Sequence, residues 1–269
     1  MAARARSRAV RWGTAASLIG VAVLLLGFAA HSDNPDALWH IVHGQCVPDQ
    51  LAHGDPKPCA EVELRNGVER GYAVLKDRNG ASQFLLIPTR RITGIEDPVL
   101  LAPDAVNYFA AAWHARRLVE NALARTMPID SLSLAVNSKL ARTQNQLHIH
   151  VDCVRAEVRQ ALGAARASIG EHWAPLSAGI DGHPYLAMRV LGATLDGHNP
   201  FKLLADGVPG AAADMVQRTL AVVGMQFDQA GPGFVILEDR TDLLGGDFAA
   251  GARLQDRACA LAHGGPGRA

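Results

Sequence analysis

The sequence predicts an α+β domain built on an antiparallel sheet with packed helices, preceded by one apolar segment long enough to cross a membrane. Three observations carry this: a hairpin signal at Asn79-Gly80, an amphipathic repeat after Pro103, and strict alternation through "QLHIHVDCV", Gln146 to Val154. With 269 residues, 49% of them hydrophobic, the chain can build one sizeable core. Its 26 basic and 26 acidic side chains cancel, which argues against a nucleic-acid partner, because tracking phosphates needs a basic surplus.

Residues 1–11 hold Arg4, Arg6, Arg8 and Arg11 and read as a cytoplasmic basic terminus. Residues 12–30, "WGTAASLIGVAVLLLGFAA", carry no charge and would span roughly 28 Å as a helix, about one hydrocarbon core. They read as a transmembrane anchor, with a cleaved signal peptide as the competing reading. Either way residues 31–260 would form an exported domain, and 261–269 read as a disordered tail.

Cysteine usage agrees with export. Cys46, Cys59, Cys153 and Cys259 are even in number and none forms a C-x-x-C pair. Cys46 and Cys59 bracket "VPDQLAHGDPKP", read as a polar loop, where a bridge would stabilise by about 3 kcal/mol in the chain-entropy picture. That would leave Cys153 to pair with Cys259. Four cysteines allow three connectivities, and free buried cysteines remain the competing reading.

Further on, "GYAVLKD" and "SQFLLIPT" flank the turn as two strands. "PDAVNYFAAAWHARRLVENALAR" reads as a helix opening at Pro103-Asp104, with Val106, Phe109, Trp113 and Leu118 on its apolar face. "SLSLAVNS" and "QLHIHVDCV" are strands, "RAEVRQALGAARASI" a helix, "HPYLAMRVLG" and "GFVILEDR" strands. "FKLLADG" and "AADMVQRTLAVVG" read as helical.

The strand from Gln146 is the chemically informative one. Period two places Leu147, Ile149 and Val151 on one face and Gln146, His148, His150 and Asp152 on the other. The imidazoles would stand roughly 7 Å apart along the strand. Three readings compete: an incidental surface face; a metal site completed by a residue such as His114, His172 or His183; and a nucleophilic histidine beside a phosphate ligand. Cys153 falls in the apolar phase and points away from the histidines.

The segments "CAEV", "GYAVLKD", "FLLIPTRRITGIEDP", "LAVNS", "RTQNQLHIHVDCVR" and "YLAMRV" together resemble the bacterial CDP-diacylglycerol pyrophosphatases, a membrane-anchored branch of the histidine-triad superfamily. The resemblance runs from about Ile41 to Cys259. It implies a histidine-triad-like fold, a single-pass inner-membrane protein with an extracytoplasmic catalytic domain, and hydrolysis of CDP-diacylglycerol to CMP and phosphatidate without a cofactor or metal. On this resemblance His148 is the nucleophile and His150 contacts the phosphate, while Gln146 replaces the first histidine of the triad. Asn137 and Ser138 would reach the nucleotide. Arg142, Thr143 and Gln144 would form a donor-rich turn, and Lys76 and Arg90 would supply further charge. An exported metal-dependent hydrolase and a non-catalytic nucleotide- or lipid-binding protein are the alternatives.

Overall fold

The computed structural model describes residues 34–177 and 179–264. Nine strands form a single antiparallel sheet: β1 (Glu61–Glu63), β2 (Tyr72–Lys76), β3 (Phe84–Pro88), β4 (Leu132–Val136), β5 (Ile149–Cys153), β6 (Ala174–Pro175), β7 (Leu186–Leu191), β8 (Arg218–Phe227) and β9 (Gly231–Arg240). Their spatial order is β1-β2-β3-β5-β4-β8-β9-β7-β6. Among the described residues helices are few and mostly short: α1 (Ala37–Ile41), α2 (Val47–His53), α3 (Tyr108–Ala122), α4 (Ala156–Ala165), α5 (Pro200–Gly207) and α6 (Ala211–Asp214).

This corrects the expected fold class. The body is dominated by one nine-stranded antiparallel sheet, broader than a histidine-triad-like α+β domain. The largest local error has a clear cause: "RTLAVVGMQF" forms β8, where the sequence reads as helical. Every residue of β8 except Gln226 is buried, so the strand lacks the polar alternation that marks a half-exposed one. Among the described residues no helix is long and apolar enough to cross a membrane. The single-pass inner-membrane assignment is therefore withdrawn, and the expected span at 12–30 lies outside the described residues.

One face of the sheet packs on α3, whose start is Asn107 rather than Pro103; the Asn107 side chain accepts the Ala110 N–H at 3.1 Å. Phe109 and Trp113, one turn apart on α3, meet Leu134, Ile149, Val151 and Phe234 in the main core. The opposite face carries two separate apolar clusters. Val158 and Leu162 of α4 cover Ala135, Ala221, Val223 and Val235. Leu38, Val42 and Val47 of the N-terminal arm cover Ala73, Leu85 and Ile87.

That arm is helical where a polar loop was expected. α1 continues through a π-turn at Val42–Cys46 into α2, and Cys46 is bridged to Cys59 with Cα atoms 5.7 Å apart. A second disulfide joins Cys153, at the end of β5, to Cys259. The C-terminal chain is packed as far as Ala262, inside a 3-10 turn at Ala260–His263, and residues 265–269 of the expected tail lie outside the described residues.

Candidate active site

β5 lies between β3 and β4, and on the face away from α3 His150 stands directly across from Leu85 on one side and Ala135 on the other. Leu85 belongs to the cluster under the N-terminal arm and Ala135 to the cluster under α4. The histidine strip is thus the polar seam between two apolar clusters. A cleft of about 420 Å³ opens over it, lined by His148, His150, Asn137, Thr143, Lys76, Arg78 and Arg257. Leu38, Ile41, Leu75 and Leu85 form its apolar wall.

The two imidazoles are closer than strand spacing predicts, with ring centroids 4.9 Å apart and planes at 71°. His148 Nδ1 lies 2.8 Å from the carbonyl of Gln146. A carbonyl can only accept, so Nδ1 carries the proton and the lone pair sits on Nε2. Burial lowers the His148 pKa, against the bond to Gln146, which favours the cation. His150 is pushed well below the ordinary imidazole value by burial, then by His148 and Arg257. Its Nδ1 receives the Gln83 amide N–H at 3.1 Å, which leaves Nε2–H as a buried donor without a partner.

Of the residues expected to bind substrate, four line this cleft: Asn137, Thr143, Gln144 and Lys76. Asn137 Oδ1 accepts the Ala252 N–H at 3.0 Å. Gln144 is engaged with the arm, accepting Leu38 N–H at 3.1 Å and donating to Asn34 O at 3.0 Å. Lys76 donates to the turn carbonyls of Asp77 and Gly80 at 2.8 and 2.9 Å.

The other four lie outside the cleft lining. The Gln146 side chain is fully buried, donating to Pro88 O and Arg90 O at 3.0 and 2.9 Å and accepting from Ile92 N at 3.3 Å. It fastens the chain after β3. Ser138 donates to Phe248 O at 2.5 Å and is equally buried. Arg142 makes a bidentate pair with Glu96, both contacts at 2.6 Å, with its guanidinium almost wholly covered. Burial opposes the Glu96 charge, yet the bonds from Arg142 and the local backbone hold that carboxyl below its ordinary range. A side chain at Gly94 would collide with Arg142, so this glycine permits the pair. Arg90 sits in a different depression with Glu69, Arg70 and Tyr108.

Sequence reasoning missed Gln83, Arg78 and Arg257. Gln83 was within reach: the period that puts Leu85 on the histidine face puts Gln83 there too. Arg257 arrives from the far end of the chain, held by the Cys153–Cys259 bridge and by Asp256 N–H on Cys153 O at 2.9 Å. On the same segment Gln255 donates to the His150 carbonyl at 3.2 Å. Gly80 lets the β2–β3 turn approach this arm, since a Cβ there would lie 3.1 Å from Arg257.

Among the described residues no group of three or more His, Cys, Asp or Glu is placed to hold a metal. His114 pairs with Asp196 at 3.1 Å, His183 pairs with Asp247, and His172 lines a separate depression beside Trp173.

A model of the CDP-diacylglycerol pyrophosphatase family matches residues 33–263. A CDP-diacylglycerol pyrophosphatase of Yersinia pestis is 39% identical over 256 residues, covering 94% of this chain and 96% of that protein. The chain belongs to the CDP-diacylglycerol pyrophosphatase family. It is a hydrolase of that kind, and membership covers nearly all the described residues, the histidine cleft included.

Proposed function

We propose that the chain hydrolyses the pyrophosphate bond of CDP-diacylglycerol, giving CMP and phosphatidate, through a cytidylyl adduct on His148. The observation that carries this reading is the bond from His148 Nδ1 to the Gln146 carbonyl, which puts the lone pair of the neutral ring on Nε2, in a cleft bordered by cations.

His148 Nε2 attacks the phosphorus that bears cytidine. The N–P bond forms as the bridging P–O bond breaks, and phosphatidate leaves with the bridging oxygen. Water then attacks the same phosphorus, the N–P bond breaks, CMP departs and the water proton passes to solvent. Nδ1–H stays on the Gln146 carbonyl throughout and steadies the cationic ring of the adduct. His150 Nε2–H, a donor without a partner, meets a non-bridging phosphoryl oxygen. Lys76, Arg78 and Arg257 offset the growing negative charge, and Asn137 and Thr143 contact the nucleotide. Gln146 and Arg142 act by fixing the backbone around the histidines.

Single-turnover reaction with substrate labelled in the cytidylyl phosphate, quenched in alkali to preserve phosphoramidate bonds, tests this. Label should appear on His148 before free CMP accumulates. Burst-free release of CMP with no label on protein would sink the covalent route.

A further inference from the structure

We infer that Leu243, Leu244 and Phe248, together with Leu140, form an apolar tip that docks on a phospholipid surface beside the histidine cleft. The inference rests on the proposed substrate, a lipid whose tails stay in a lipid layer. Among the described residues six large hydrophobic side chains are exposed, and four of them are these: Leu140 at 53%, Leu243 at 64%, Phe248 at 50% and Leu244 fully. Scattered singly they would need no explanation; gathered in two adjoining loops they mark an interaction site.

The two loops are one unit. Ser138 donates its N–H to Ala249 O at 3.1 Å and its hydroxyl to Phe248 O at 2.5 Å, which brings the Leu140 turn against the Leu243–Phe248 turn. The second turn is stiff. Asp242 and Asp247 exchange backbone bonds at 2.9 and 2.7 Å, and Asp242 Oδ1 accepts Leu244 N–H and Gly245 N–H at 3.1 and 3.0 Å. At its base Asp247 is held by His183 and, at 3.4 Å, by Arg253. Leucines on a braced turn that face water throughout are presented for an apolar medium.

The position relative to the cleft decides the occupant. Ala141, next to Leu140, lines the cleft, as do Asn137 and Ala252, which are bonded to each other at 3.0 Å. The cleft holds about 420 Å³, room for a headgroup but not for two long acyl chains as well. Those chains remain in their layer while the pyrophosphate reaches His148, so the rim must meet that layer. A protruding tip of four side chains falls short of the area a stable protein partner needs, whereas insertion into lipid requires only that the tip be apolar. Lys139, exposed beside Leu140, suits anionic headgroups.

Two measurements on the full chain test this. Leu243→Asp/Leu244→Asp should slow hydrolysis of long-chain CDP-diacylglycerol in phosphatidylglycerol–phosphatidylcholine vesicles by about tenfold or more, with hydrolysis of a soluble dibutanoyl analogue kept within about twofold. Equal losses on both substrates, or none on either, would overturn the docking role. In parallel, Leu244→Trp should show a blue-shifted emission, relative to wild type, on addition of the same vesicles without substrate. An unchanged spectrum would overturn the inference and leave the tip for a protein partner. Because that readout needs no turnover, it separates failure of docking from failure of the hydrolase reading.

Discussion

His148 Nδ1 and the backbone carbonyl of Gln146 lie 2.8 Å apart, so the ring nitrogen that keeps its lone pair is selected by a residue two positions earlier in the same chain. The Gln146 side chain is meanwhile bonded to Pro88, Arg90 and Ile92. One residue therefore sets the ring's tautomer with its backbone and secures its own place with its amide.

The two histidines should fail differently. His148→Ala removes the proposed nucleophile and should reduce turnover by at least about a thousandfold with no trapped adduct. His150→Ala removes one donor and should cost about 10²–10³-fold while adduct still forms slowly. Equal residual rates with adduct in both variants would refute this division of roles.

Attack requires a neutral imidazole. Both histidines are pushed down by burial, so the neutral form persists to lower pH than in a free side chain. The acid limb of kcat/KM should have its midpoint below the ordinary imidazole value of 6.5. A midpoint at or above that value, measured with a substrate that does not itself titrate there, would count against the assignment.

Gln146→His would add a third histidine to the segment, yet should impair the protein. Its three backbone bonds would be lost or strained, at a cost of about 2–4 kcal/mol. Urea unfolding should show a lower midpoint at unchanged slope. A variant at least as stable and active as wild type would mean that the amide is not structural.

Asp152 alternates with His150, accepts Cys153 N–H at 2.9 Å and Ser82 Oγ–H at 3.1 Å, and keeps one oxygen without a partner. Burial pushes its carboxyl up to about 6, from an ordinary 3.8. The folded state thus holds this proton more tightly than the unfolded chain. Its ionisation weakens the fold progressively as pH climbs from about 4 to 6, and the cost, on the order of 2–3 kcal/mol, is complete above that. Asp152→Asn should therefore gain stability over wild type with rising pH, read as a difference in urea midpoint between pH 4 and 7.5. A pH-independent difference would show that Asp152 is ionised at no cost.

Exhaustive treatment with EDTA should leave turnover unchanged, because His148 and His150 lack a third ligating side chain among the described residues. Loss of activity restored by one divalent ion would revive the metal reading.

The histidine segment was legible because β5 and the two residues before it are sharply two-sided: Leu147, Ile149 and Val151 meet the α3 core while His148 and His150 meet the cleft. β8 was not, because burial of both faces erases the alternation that separates strand from helix. The same limit governs charge. Arg142 looked like a phosphate ligand because its partner, Glu96, is distant in sequence, and nothing local distinguishes a free guanidinium from a paired one. Arg257 lies just before the cysteine that brings it to the cleft, and the expected Cys153–Cys259 pairing alone did not say which side chains of that segment would face the histidines.

That bridge also bears on how the cleft is closed. Ala252 and Arg257 supply part of its wall, and Gln255 grips the His150 carbonyl. All belong to the last stretch of the described chain. The wall of the cleft and the core beneath it are therefore closed by one and the same segment, since Leu254, Cys259 and Ala262 are buried beside the residues that face the site.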